Sequence, residues 1–157
     1  MLADTIYSLS HEFSSPLFPP HITLLGELSG SEEVLVERSQ AVARQIEPFS
    51  VELTTIAYLD MYYRALFLQV RQTHSLMNAN QIARQAFGIQ NDEPYMPHLS
   101  LLYGNFPSRA KESIIERLGP RLSCAFEVAR IHLHSTYGDT STWEELGVFP
   151  LKRPENI

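Results

Sequence analysis

Apolar positions first repeat at helical spacing. Ile6, Leu9 and Phe13 form one stripe over residues 3–14, and Ser15-Pro16 ends that helix. A proline-rich link over residues 16–20 follows, then a short apolar run, residues 20–26, bounded by Pro and Gly as a strand is. Residues 26–30 read as a turn. Ser29 with Glu32 has the spacing of a capping box, opening a helix to about Ile46 with Leu35, Val42 and Ile46 on one face. After Pro48 the period changes to two. Val51, Leu53 and Ile56 alternate with polar residues over residues 49–60, and a turn at 61–64 leads to a second strand at 65–70, so the pair predicts a hairpin.

The second half repeats this plan. A helix from Thr73 or His74 to about Phe87 turns Leu76, Ile82 and Phe87 inward and stops at Gly88. A polar loop, 89–96, feeds an apolar run at 97–104. Pro107 and Ser108 open a helix to about Leu118, stopped by Gly119-Pro120. Residues 126–135 predict one long strand, 138–142 a turn and 143–151 a last strand, with a loose tail from Lys152. Strands mixed with helices in this order predict an α+β fold, with residues 1–157 as a single domain.

The two apolar runs are the same sentence written twice. Pro20-His21-Ile22-Thr23-Leu24-Leu25-Gly26 recurs as Pro97-His98-Leu99-Ser100-Leu101-Leu102-Tyr103-Gly104. On a strand, alternate side chains share a face, so His21 joins Thr23 and His98 joins Ser100, with aliphatic residues behind. Tyr103 falls on the wrong face by strict alternation and joins the histidine only if the strand bulges or ends there. Two imidazoles can supply an acid and a base, and hydroxyls can donate to a phosphoryl oxygen. That set needs neither a metal nor a cofactor.

Composition narrows the ligand. The formal net charge is −6, and the 12 Lys and Arg residues are scattered. No basic stripe is present to grip a long nucleic acid, so an anionic ligand is expected to be small. The one cysteine, Cys124, rules out an internal disulfide and fits a reducing cytoplasm; it reads as a small core residue. The N-terminus lacks signal-peptide character, and no apolar run is long enough to span a bilayer. His132 and His134 could hold a metal, but no third ligand is evident from the sequence, and an exposed strand face is the better reading. Tyr62, Tyr63 and Tyr95 suit either a groove rim or loop packing, and Trp143 reads as a core or inter-strand aromatic. Arg64 and Arg109 are candidates for a second phosphate, with no spacing argument for either.

Two His-x-Thr/Ser signatures, one per half of a small α+β chain, resemble the 2H phosphoesterase superfamily. The second copy, from Tyr95 to Gly104, and residues 133–150, with Ser135-Thr136 and Trp143-Glu144, resemble its plant and yeast cyclic phosphodiesterase branch, which opens ADP-ribose 1″,2″-cyclic phosphate. The resemblance implies a bilobal fold, two pseudo-symmetric strand–helix–hairpin lobes around a central groove. It implies His21 and His98 as the acid/base pair, Thr23, Ser100 and Tyr103 as phosphate binders, and no metal. Members of the branch usually open with a strand before the first helix; here that strand is expected to be lacking, which would leave a sheet edge unpaired.

The expected function is hydrolysis of a small cyclic phosphodiester by a cytoplasmic monomer. A second reading keeps the enzyme class and changes the substrate to RNA ends, with a 2′,3′-cyclic phosphate or a 2′-5′ linkage. A third is a module that binds a nucleotide without turning it over, although binding alone would not require both histidines.

Overall fold

The computed structural model describes residues 1–119 and 121–153. Its helices are α1 (Leu2–Phe13), α2 (Glu32–Ala43), α3 (His74–Ala86) and α4 (Ser108–Leu118). Its strands are β1 (Phe49–Ala57), β2 (Leu66–Val70), β3 (His98–Leu102), β4 (Arg121–Val128), β5 (Arg130–Ser135) and β6 (Glu144–Pro150). All strand pairs are antiparallel. A four-stranded sheet runs β3-β2-β1-β4, and β5 and β6 form a separate two-stranded sheet. The α+β class expected from the element order is the one observed.

Each sheet has its own core. Ile6 and Leu9 of α1 and Ile114 of α4 pack with Leu53, Leu68 and Leu101 of the larger sheet. Val42 of α2, with Ala79 and Ala83 of α3, meets Leu133 and Phe149 of the hairpin. Leu24, within the first motif, touches both clusters. Burying each large aliphatic side chain contributes about 1.5–3 kcal/mol. The same stripes that predicted the helices therefore bind them to the sheets. No helix among the described residues is long and apolar enough to cross a membrane.

Four expectations are corrected. The cap of α2 is Ser31, not Ser29: its hydroxyl accepts the Val34 N–H at 3.4 Å, and the helix ends at Ala43 rather than near Ile46. The long strand at 126–135 is two strands: β4 begins earlier and pairs with β1, while β5 pairs with β6, and the chain changes sheets at Ala129. The apolar phase shifts at the break, from Phe126 and Val128 to Ile131 and Leu133, which one continuous strand cannot place on one face. The tail is anchored at its start, since the Lys152 N–H reaches the carbonyls of Ala43 and Ile46 at 3.0 and 2.8 Å. Pro120 and residues 154–157, parts of the expected stop and tail, lie outside the described residues.

The fourth correction concerns the first motif. Residues 20–26 do not form a strand. Their contact with a sheet is one antiparallel bridge, Ile22 to Leu99. Pro19 and Pro20 have no N–H to donate, so a ladder cannot extend towards the N-terminal side. The two sheets accordingly differ in size, one of four strands and one of two.

Candidate active site

The Ile22–Leu99 bridge joins the residue after each motif histidine to its counterpart. The two motifs thus meet at equivalent positions, running in opposite directions. That register sets His21 opposite Ser100 and Thr23 opposite His98. Each imidazole is therefore a neighbour of the other motif's hydroxyl residue as well as of its own. The aliphatic residues Leu99 and Leu101 turn into the core, as the alternation predicts.

Both histidines are held alike. His21 Nδ1 lies 2.7 Å from the carbonyl of Pro19, and His98 Nδ1 lies 2.9 Å from that of Met96. In each case the acceptor is two residues back, across a proline. Proline fixes its own φ and keeps the preceding residue extended, which aims that carbonyl at the ring. A carbonyl only accepts, so each Nδ1 carries a proton. Each Nε2 is left as a base when the ring is neutral and as a proton donor when it is charged.

The surroundings differ. His98 is half-buried at the start of β3, with its ring 5.4 Å from Phe67. Burial holds its pKa below the ordinary imidazole value; the bond to Met96 opposes this, and the charges of Arg64 and His21 add to it. Arg64 ends the short helical turn Tyr62–Arg64 that precedes β2. His21 packs edge-on against Phe18 at 6.2 Å and Trp143 at 6.1 Å.

Tyr103 joins the site through a bulge. Leu66 pairs with Leu102 but Phe67 pairs with Ser100, so Leu101 is an extra residue in β3. The extra residue reverses the alternation, and the strand ends at Leu102. The Tyr103 ring stacks on Phe18 at 3.8 Å and stands 6.4 Å from Trp143. It is 4% exposed. Burial pushes its hydroxyl up to about 12, opposed by the neighbouring Ser100, so it stays a neutral donor. Gly104 makes this exit possible. Its φ is +141°, and a Cβ there would meet the Phe106 ring at 2.4 Å.

The two hydroxyl residues are placed differently. Thr23 is exposed. Ser100 is buried, and its hydroxyl donates to the Tyr63 carbonyl at 3.1 Å. Ser100 thus ties β3 to the turn that carries Arg64. Tyr95 donates its hydroxyl to the Thr23 carbonyl at 2.9 Å, which ties the loop before one motif to the other motif.

Phe67 escaped the sequence; Arg64 was a phosphate candidate and Trp143 a core or inter-strand aromatic, and all three come from other elements, at no fixed offset from either motif. Trp143 precedes β6, and its indole Nε1 is buried with no hydrogen-bond partner among the described residues. An aromatic after a turn reads as packing, so the sequence could not place it beside His21.

Comparison with known proteins agrees with this fold. The profile of the 2'-5' RNA ligase superfamily matches residues 9–140. A cyclic phosphodiesterase of Arabidopsis thaliana is 24% identical over 90% of this chain and 82% of its own length. A 2',3'-cyclic-nucleotide 3'-phosphodiesterase of Yarrowia lipolytica is 30% identical over 71% of this chain, which spans only 51% of that relative. The apo crystal structure of E. coli LigT superposes with a TM-score of 0.68 over 96% of this chain and 91% of that one, at 17% identity, a likeness of fold. The chain belongs to the 2'-5' RNA ligase superfamily, the 2H phosphoesterases.

Proposed function

We propose that this chain opens a small cyclic phosphodiester, a nucleoside 2′,3′-cyclic phosphate or ADP-ribose 1″,2″-cyclic phosphate, with His98 as general base and His21 as general acid. That it is a cyclic phosphodiesterase follows from its family and from the names its relatives share. The substrate and the roles of the residues are our reading.

The observation that carries the reading is the matched pair of imidazoles, each with Nδ1 on a backbone carbonyl, which leaves Nε2 for proton transfer. His98 is disposed to be neutral, so its Nε2 takes a proton from water as the oxygen attacks phosphorus. The P–O bond to the leaving sugar oxygen breaks, and His21 delivers its Nε2 proton to that oxygen. Thr23 and Tyr103 donate to the non-bridging oxygens, where charge grows. Ser100 holds β3 against the turn of Arg64 and contributes its own hydroxyl when it rotates away from Tyr63. The net charge of −6 and the scattered cations support a small substrate over an RNA chain.

The test is turnover of both cyclic phosphates in excess chelator, by wild type, His21→Ala and His98→Ala. Each variant is expected to lose about 10²–10⁴-fold in kcat. Variants that stay active would sink the two-histidine mechanism. RNA oligonucleotides that outcompete mononucleotides would replace the substrate assignment with RNA ends. Saturable binding without product would make the chain a binding module.

A further inference from the structure

A second constellation lies on the β5–β6 hairpin. His132 and His134 are two apart on β5, so they share its exposed face, while Leu133 between them is buried. The third member comes from β6. Leu133 pairs with Gly147 but His134 pairs with Glu145, so Leu146 is an extra residue in β6. Without that shift His134 would face Leu146. With it, Glu145 stands directly across from His134 on the histidine face.

One ligand atom from each of the three lies within 4.8 Å of the others. Glu145 Oε2 is 2.7 Å from His132 Nδ1 and 3.5 Å from His134 Nε2. Ligand atoms held at about 2.0–2.2 Å around a tetrahedral ion stand roughly 3.3–3.5 Å apart. The His134–Glu145 separation already has that value, and the His132–Glu145 hydrogen bond has only to open slightly. Two imidazoles and a carboxylate suit a borderline transition ion rather than calcium or magnesium, which prefer all-oxygen sites.

We propose that His132, His134 and Glu145 form a separate site for a divalent transition ion, with Zn²⁺ as the reference ligand, that staples β5 to β6. The site uses none of the residues given to the phosphodiesterase chemistry, and it stands whether or not that chemistry is right. A two-stranded sheet has little stability of its own, so a cross-strand ligand set adds where the fold is weakest. The gain extends towards the groove, because β6 starts immediately after Trp143, beside His21.

The experiment is calorimetric titration of the tag-free full chain with zinc chloride, in a non-coordinating buffer at about pH 7.5, where imidazole is neutral. Melting temperatures are recorded in parallel. Wild type is expected to bind one ion per chain and to melt higher with zinc. His134→Ala and Glu145→Gln are each expected to lose at least about tenfold in affinity and to lose the thermal gain. His98→Ala should bind as wild type does. No saturable binding, no thermal shift, or binding unchanged in both hairpin variants would overturn the proposal. So would binding lost in His98→Ala, which would put the ion on the catalytic pair. Glu145→Gln is nearly isosteric and exposed, so it keeps the test alive if His134→Ala fails to fold.

Discussion

His21 and His98 are fixed in the same tautomer by the same local bond, Nδ1–H to the carbonyl two residues back, at 2.7 and 2.9 Å. The intervening residue is proline in both. The equivalence is local and encoded in sequence, but what makes the two rings unequal is their environment. His98 lies where burial, with the charge of Arg64 beside it, disfavours its charged form.

This inequality fixes a pH dependence. A base works only when neutral, and a lowered pKa keeps His98 neutral further into acid. The acid limb of kcat/KM is expected below the ordinary imidazole value of 6.5. Arg64→Met removes one of the charges that lower this pKa, so the acid limb should move to higher pH. The profiles of both proteins check it, and a limb that stays put or moves down would argue against His98 as base.

The Tyr103 hydroxyl is buried and stays protonated through the working range, while its ring rests on Phe18. Tyr103→Phe keeps the stack and removes the donor. A hydrogen bond to a charged oxygen is worth about 1.5–3 kcal/mol, so kcat/KM is expected to fall roughly 10–100-fold, with the melting temperature nearly unchanged. Steady-state kinetics beside a thermal melt separate the two effects. Full activity would reduce Tyr103 to packing.

Lys111 supports the site from behind. Its ammonium donates to the Leu59 carbonyl at 3.1 Å and to Asp60 at 2.6 Å, over the Tyr58 ring at 4.7 Å. Asp60 is largely exposed, so the ion pair is screened and the buried bond to Leu59 matters more. Lys111→Met should cost about 1–3 kcal/mol, seen as a lower denaturation midpoint. Because Leu59 also bonds Arg64 across the turn, the variant should lose some of the Arg64 effect on the pH profile.

Gly104→Ala asks for a side chain at φ +141° and against the Phe106 ring. Strain of this kind costs about 1–3 kcal/mol. The Gly104 N–H also bonds the Tyr62 carbonyl at 2.9 Å, so the damage should reach Tyr103 and the turn together. Denaturation and kcat/KM are expected to fall in step, whereas an unchanged kcat/KM would mean that the turn does not position the site.

Much of this was legible in order along the chain. The helical stripes found α1, α2 and α3, the start and stop signals found α4, and alternation found β1, with β2 and β6 read as the strands after turns, all to within a few residues. The repeated motif named His21, Thr23, His98, Ser100 and Tyr103, and the structure brings these residues to one region. The division of β4 from β5 was missed, because the period stays two and only its phase shifts, between Val128 and Ile131. The first motif was read as a strand because its composition is that of one; it is not, because strand composition does not supply a partner.

The chemistry of the two histidines therefore lies in the sequence, since a proline and a carbonyl two residues back are short-range and set the tautomer wherever the segment goes. Three things were decided only by the tertiary structure. The bulge at Leu101 turned Tyr103 into the site. The burial of His98 beside Arg64 set its imidazole below the ordinary value. The shift at Leu146 gave His132 and His134 a carboxylate partner. Each depends on strand register or on desolvation by distant residues, quantities that arise only when separate segments pack together.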